Sequence, residues 1–345
     1  MPEFHRADRG LARAREIRLS DEDRDAIDGK FAGTLLRVPR AQRRAGVRTD
    51  GDVVLVMGMP GAGKSMIARD LGDAGYERLN RDESGGTLAD LVPRLAETLR
   101  GGRRNVVLDN TYPSRASRNA VIETAWAAGV AARCIWVTTP LGDAQVNAIR
   151  RMVAAHGSLP TPEAIRERSR HDPRYLLPDA LFRYERTVEP PVPDEGFESV
   201  QERTPGRIVD FGDRKALVID IDDVRNTPSS LDLIARYQRA GWLVFAHAWR
   251  PQVARGEVSS ATVDREIAGV LHALPVEAAL AFCPHEAGPP LCWCRKPIPG
   301  QLIEFAMRRG VSLSRSIIVG SSTADRTMAE RIGARYLVAF DQEPG

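Results

Sequence analysis

One eight-residue stretch constrains this chain more than any other: Gly58-Met59-Pro60-Gly61-Ala62-Gly63-Lys64-Ser65. It fits the phosphate-binding pattern G-x-x-x-x-G-K-[ST] at every fixed position. Asp52 to Met57 ahead of it reads as a buried strand, and Met66 to Leu71 behind it reads as a helix. Strand, loop and helix in that order argue against the plainer alternative, a Gly-rich turn with a surface lysine. Gly58, Gly61, Ala62 and Gly63 would let backbone N–H groups converge on a phosphate at the start of a helix. Lys64 would reach the β/γ-phosphates of ATP, and the Ser65 hydroxyl would ligate Mg²⁺.

The 49 basic residues include only four lysines: Lys30, Lys64, Lys215 and Lys296. Arginine replaces lysine on a solvated surface but not where a compact ammonium is needed, which singles out Lys64 and Lys296. A net charge of +3 is too small to argue nucleic-acid binding by itself. No apolar run approaches a membrane span, and the first 18 residues carry charge without an apolar core, so a cytoplasmic setting is expected. Of the four cysteines, Cys283, Cys292 and Cys294 cluster within twelve residues, which suits metal ligation better than a disulfide framework, whereas Cys134 reads as core.

Residues 1–50 form a basic extension, helical or partly disordered, in which Arg37, Arg40, Arg43, Arg44 and Arg48 read as a solvated face, with contact to nucleic acid the alternative. From residue 51 onward, apolar strands alternate with helical patterns. Strands are expected at 52–57, 76–79, 105–109 and 132–137, and helices at 64–73, 88–100, 115–128 and 142–155. This alternation implies α/β architecture with a parallel sheet over 51–205. Residues 156–195 read as a lid and return segment. A second alternating series occupies 206–345, with strands at 216–221, 242–247, 278–282 and 315–319.

The carboxyl ends of parallel strands gather around a ligand, so Asn80-Arg81-Asp82-Glu83, Asp109-Asn110-Thr111 and the helix carrying Arg150 and Arg151 should face the phosphate loop. Asp82 suits a general base, or a helix cap. Asp109 suits a Mg²⁺-organising carboxylate, or a strand-end turn. Arg150 and Arg151 suit charge stabilisation on a transferring phosphoryl group, or solvated helix charge.

With GMPGAGKS, LNRDE, VVLDNTYPSRASRNAVIETAWAAGV, Arg150-Arg151-Met152, Phe182 to Arg186 and Glu195 to Ser199, the stretch 52–203 resembles the kinase domain of polynucleotide kinase-phosphatases, the end-healing enzymes of phages and animals. The resemblance implies that Asp82 is the base for a 5′-hydroxyl, that Lys64 and Ser65 bind ATP and Mg²⁺, and that Arg150 is the lid arginine, in a register that leaves Arg151 as its alternative. One departure is Glu83-Ser84-Gly85-Gly86, where some relatives carry another basic residue for the acceptor's phosphate.

In the second half, Leu217 to Val224 is a buried strand ending in Asp220-Ile221-Asp222. This resembles the first motif of haloacid dehalogenase-like (HAD-like) phosphatases. The resemblance implies a nucleophile at Asp220, an acid/base at Asp222 and a phosphate-binding lysine at Lys296; Asp325, within the fourth-motif stretch Gly320 to Asp325, is expected to serve the metal together with Asp220. Two departures stand out: Ser321 replaces the family's Mg²⁺-ligating aspartate, and the Ala246/Ala248 region lacks the usual hydroxyl. Cys283-Pro284-His285 and Cys292-Trp293-Cys294 supply three thiolates and an imidazole, a closed and therefore structural Zn²⁺ set. The loop through Cys294-Arg295-Lys296-Pro297 also resembles that of zinc-bearing sugar-bisphosphate and histidinol phosphatases.

The expectation is a P-loop kinase domain followed by a HAD-like Rossmannoid domain. It would phosphorylate the 5′-hydroxyl ends of RNA or DNA with ATP, and its phosphatase half would be weak or inactive. A small-molecule kinase and an ATP-dependent end-binding module are the alternatives.

Overall fold

The computed structural model describes residues 51–226, 230–272, 278–288 and 291–338. The basic segment 1–50 lies outside the described residues. Two five-stranded sheets, all parallel, follow one another along the chain.

The first sheet has the order β2-β3-β1-β4-β5. Its strands are β1 (Asp52–Gly58), β2 (Glu77–Leu79), β3 (Val106–Asp109), β4 (Ala131–Val137) and β5 (Ser199–Arg203). The helices are α1 (Lys64–Asp73), the short α2 (Arg81–Ser84), α3 (Leu91–Arg100), α4 (Arg115–Ala127), α5 (Leu141–His156), α6 (Pro162–Arg168) and α7 (Asp179–Thr187). β1 is apolar on both faces and buried from Val53 to Met57, as a central parallel strand with helices on either side must be. α3 buries Leu91, Leu95 and Leu99, one turn apart, against this sheet. α4 starts at a reciprocal capping box between Ser114 and Ser117.

The second sheet has the order β10-β9-β6-β7-β8. It comprises β6 (Ala216–Asp220), β7 (Leu243–Trp249), β8 (Ala278–Cys283), β9 (Ile317–Gly320) and β10 (Arg335–Val338). α8 (Ile221–Asn226), α9 (Ser230–Arg239), α10 (Ser260–His272), α11 (Gly300–Arg309) and α12 (Thr323–Ile332) cover it. α5 of the first half packs against α11 and α12 of the second. Arg207 ties the same seam, pairing with Asp143 on α5 and donating to the Glu330 carbonyl on α12 at 3.3 Å.

Most element types fall where the sequence places them, but β6 stops at Asp220 and Ile221–Asn226, read in part as strand, is the helix α8; the edges differ too. β5 and β10 were not expected, and the lid region contains α6 and α7. β5 exists because Val200 packs on the core while Glu202 and Arg203 face outward, a mixed edge pattern that apolar runs do not reveal. Among the described residues no helix is long and apolar enough to cross a membrane.

A buried ion pair fixes one part of the first half. Arg118 donates from Nε and Nη2 to both Glu195 oxygens at 2.7 Å, with both side chains essentially inaccessible. Arg118 Nη1 also donates to the carbonyls of Tyr112 and Glu189. Two segments singled out in the sequence, 106–130 and 195–199, are thus a structural clasp. Tyr112 sits at φ 40°, in the left-handed region, to present its carbonyl there.

Candidate active sites in the two halves

The strand order reverses between β1 and β4, the connection after β1 running to one side of the sheet and that after β4 to the other, so the loops after these parallel strands flank a crevice at the carboxyl edge of the sheet. The loop Gly58–Ser65 occupies that edge. Thr139 Oγ1, just beyond β4, donates to the Ala62 carbonyl at 2.7 Å, and Asn147 Nδ2 on α5 donates to the Gly61 carbonyl at 3.2 Å. Gly61 is obligatory: its φ is 81°, and a Cβ there would lie 2.3 Å from the Ala144 carbonyl oxygen. The loop is therefore held from behind by α5 and by the residue just beyond β4. Ser65 is exposed in the first turn of α1, and the Lys64 ammonium donates to the Met59 carbonyl at 2.9 Å.

The charged residues expected near the loop do gather there. Burial pushes the Lys64 ammonium down to about 8, Asp109 and Asp82 pull it up, and Arg151 and Arg81 press it down. Asp109 is buried and accepts from Arg78 Nη2 at 2.8 Å and Asn80 Nδ2 at 3.2 Å, so it is a fixed carboxylate. Asn80 caps α2 by accepting from the Asp82 amide at 2.6 Å. Asp82 is therefore not the cap; its carboxylate is 40% exposed and meets Arg81 at 3.0 Å. Arg151 is held below its ordinary value by burial, while Asp82 and Asp172 pull it back. Of the two adjacent arginines it is Arg151 that shares the field of both Lys64 and Asp82. Nε of both Arg150 and Arg151 is buried without a hydrogen-bond partner. Arg78 and Asn80, which fix Asp109, were not foreseen; their place just before Asp82 was the available signal.

In the second half the crevice lies beyond β6, where the strand order reverses. Asp220 ends β6 and pairs with Lys296, which also donates to Asp325 Oδ1 at 2.7 Å. Burial opposes the Lys296 charge, but the two carboxylates outweigh it and raise its pKa. Asp325 is buried, and its Oδ2 accepts from Ser322 Oγ at 2.6 Å. Asp222 does not stand free: Arg250 holds it with two bonds of 2.9 and 2.7 Å. Ser321, which replaces the expected aspartate, is bound by Asp223, its amide donating at 2.8 Å and its hydroxyl at 2.6 Å. His247 on β7 lies 3.6 Å from Asp325 Oδ1, and burial, with Lys296 beside it, pushes its imidazole down to about 4. Arg250, Asp223 and His247 were all missed. Nothing in spacing alone marks them, because their partners lie on segments remote in sequence, 28 positions away for Arg250, 98 for Asp223, and on α12 for His247.

Ligand atoms of Asp220, His247 and Asp325 lie within 4.8 Å of one another. A ring nitrogen and an ammonium between the carboxylates do not suit Mg²⁺, which prefers oxygen ligands and water. By contrast, Cys283, His285, Cys292 and Cys294 also bring their ligand atoms within 4.8 Å of one another, and this set fits Zn²⁺. The Cys283–Cys292 sulfurs are 3.8 Å apart, and Zn–S bonds of about 2.3 Å in a tetrahedron require about that separation. Its bond with Cys292 pushes the Cys283 thiol up to about 12, bonds to Cys283 and Cys292 push Cys294 up, and Cys292 is lowered by the same neighbours. Cys134 is buried in β4, apart from this knot.

The AAA domain family profile matches residues 53–171. A D-glycero-beta-D-manno-heptose-1,7-bisphosphate 7-phosphatase of Pseudomonas putida is 33% identical over 129 residues, 36% of this chain and 72% of that protein. A bifunctional polynucleotide phosphatase/kinase of Schizosaccharomyces pombe is 28% identical over 153 residues, 44% of this chain and 33% of that protein. A solved structure of a HAD-like phosphatase from Mesorhizobium loti aligns over 38% of this chain and 74% of its own, at 30% identity and a TM-score of 0.31.

Proposed function

Given that the chain belongs, over the 36% of its length that the P. putida relative matches, to the family of HAD-like phosphatases, and that a P-loop kinase domain also lies in it, we propose that it phosphorylates the 5′-hydroxyl ends of nucleic acids. The observation carrying this reading is the grouping of Lys64, Asp109, Asp82 and Arg151 in one electrostatic neighbourhood beside the phosphate loop. The partial match to a polynucleotide phosphatase/kinase supports the choice of acceptor.

ATP would supply the γ-phosphoryl group, and Mg²⁺ on Ser65 would offset its charge. The protein's own part is orientation and proton transfer. The loop amides and Lys64 hold the phosphates, and hydrogen bonds from Arg78 and Asn80 fix Asp109 beside them. Asp82, solvent-facing on α2 just beyond β2, accepts the proton of the acceptor hydroxyl as its oxygen bonds to phosphorus and the bond to the ADP oxygen breaks. Arg151 offsets charge on the phosphoryl oxygens, taking the role that the resemblance gives to Arg150. The setting is cytoplasmic.

The second half, in this reading, is a phosphatase-like domain of weak activity. Its acid/base position, Asp222, is engaged by Arg250, and Ser321 replaces a metal carboxylate. Its Cys/His knot holds one structural Zn²⁺, which elemental analysis of the purified protein tests directly: zinc well below one per chain, with no gain on adding it, contradicts the assignment. The kinase reading is tested with γ-labelled ATP and a panel of 5′-hydroxyl RNA, DNA, nucleosides and sugars. Label transfer to oligonucleotides supports it; transfer to nucleosides or sugars alone overturns it.

A further inference from the structure

We infer that Trp293 of the second half is the anchor of the first half's lid, and so a positioning residue for the phosphate-loop site. Trp293 stands between two members of the Cys/His knot, Cys292 and Cys294, and is 1% exposed. Its indole Nε1 donates to the carbonyl of Leu176, in the lid segment before α7, at 2.7 Å. A buried indole N–H needs a partner, and this one finds it across the seam between the halves. Backbone contacts clamp the same place. Gly300 donates to the Trp293 carbonyl, and a Cβ on Gly300 would fall 2.2 Å from that oxygen and 3.1 Å from Leu159 Cδ2 in the lid. At the lid's start, Arg308 Nη2 on α11 donates to the Gly157 carbonyl at 3.1 Å. A cleft of about 270 Å³ beside this anchor is lined by Glu163, Arg166 and Phe182 from the lid and by His285, Cys292 and Lys296 from the second half.

The lid in turn reaches the first site. Tyr175, next to Leu176, is buried under the Arg168 guanidinium and against His156, which ends α5. Arg174 pairs with Asp172 at 2.7 Å, and these two charges bear on Arg151. Trp293 cannot shift without moving the cysteines on either side of it. The knot therefore sets where the lid stands, and through Tyr175 against His156 the lid packs on the end of α5, the helix that carries Arg151.

The catalytic consequence rests on the kinase reading, whereas the anchor itself does not. The test is Trp293→Phe in the full chain, which keeps the ring and deletes the donor, with Trp242→Phe as a control elsewhere in the second half. Hydrogen exchange is followed at the amides of residues 159–176, beside steady-state kinetics. A net hydrogen bond of ordinary strength predicts exchange ~5-fold faster in Trp293→Phe, kcat lowered by about the same factor and KM for ATP unchanged, with the control like wild type. Exchange unchanged in Trp293→Phe overturns the anchor. Faster exchange with unchanged kcat overturns its link to the site. If the wild-type protein phosphorylates no acceptor, the kinase reading fails and exchange alone decides the anchor. If Trp293→Phe does not fold, Arg308→Gln, an exposed change at the lid's other end, decides in its place: exchange at residues 157–160 should rise ~3-fold, and no change overturns the inference.

Discussion

The two halves handle charge in opposite ways around sites of similar topology. Both place a carboxylate or a phosphate loop at the carboxyl end of a central parallel strand, where the strand order reverses. In the first half the cations and the hydroxyl remain available, although Asp109 and Asp82 are paired with Arg78 and Arg81: Lys64 touches a backbone carbonyl, Ser65 is exposed, and the Arg150 and Arg151 Nε atoms have no partner among the described residues. In the second half the corresponding groups answer one another. Asp220 and Asp325 share Lys296, Asp222 is held by Arg250, and Asp223 is held by Ser321. A strand-end carboxylate is thus no evidence of activity by itself. What matters is whether its partner is a neighbouring side chain or is left to be a substrate.

If the first half is the working one, its losses should be the largest. Lys64→Ala and Asp82→Asn should each lower phosphoryl transfer at least ~100-fold, through lost charge stabilisation and a lost proton acceptor respectively. Single-turnover transfer from labelled ATP measures both. Turnover like wild type in Asp82→Asn would remove the base from Asp82 and leave the open site without its proton acceptor.

A graded effect is expected from pH. Lys64 is lowered from 10.5 to about 8 by burial, with Asp109 and then Arg151 as the next influences. Phosphate in contact with it favours the charged form, so binding takes up a proton wherever the free protein has lost one. The Kd for ATP should therefore rise with pH above about 8, approaching ~10-fold per unit, and be nearly flat below it. Folding has its own sign: between about 8 and 10.5 the unfolded chain binds the proton that the folded chain has released, so the Lys64 contribution to stability rises with pH there. Lys64→Ala should abolish the slope in ATP binding. A slope that persists in that variant would assign it to another group.

Much of this contrast was legible in the sequence, for reasons that differ by residue. The loop Gly58–Ser65 was readable because its demands are local: glycines for backbone curvature, an ammonium and a hydroxyl at fixed offsets. The Cys/His knot was readable because its ligands come in two short clusters. Asp109 was ambiguous, since a carboxylate at a strand end looks the same whether or not Arg78 and Asn80 fix it. Arg250 and Asp223 were invisible, because their partners lie on segments remote in sequence. The clasp of Arg118 with Glu195 spans 77 positions, which no local pattern encodes. Strand β5 was missed because an edge strand lacks a continuous apolar run.

The smallest effect expected is also the one that separates the two halves most directly. Arg250 is buried and grips Asp222 with two bonds, at the end of β7 where the phosphatase motif has no matching hydroxyl. If that grip is what withholds Asp222 from proton transfer, Arg250→Ala should free it and raise phosphate release from 3′-phosphate ends by ~3-fold, a gain of the size set by one charge-assisted hydrogen bond partly offset by lost packing. Ser321→Asp should add little alone, because Asp223 already fills the space beside Ser321 with negative charge. Adding Asp220→Asn to Arg250→Ala should return release to background if Asp220 is the nucleophile proposed for this half. Robust release by the unaltered protein, lost in Asp220→Asn, would instead show that pairing among side chains does not silence the second site, and that the charge pattern separating the halves is not what separates their activities.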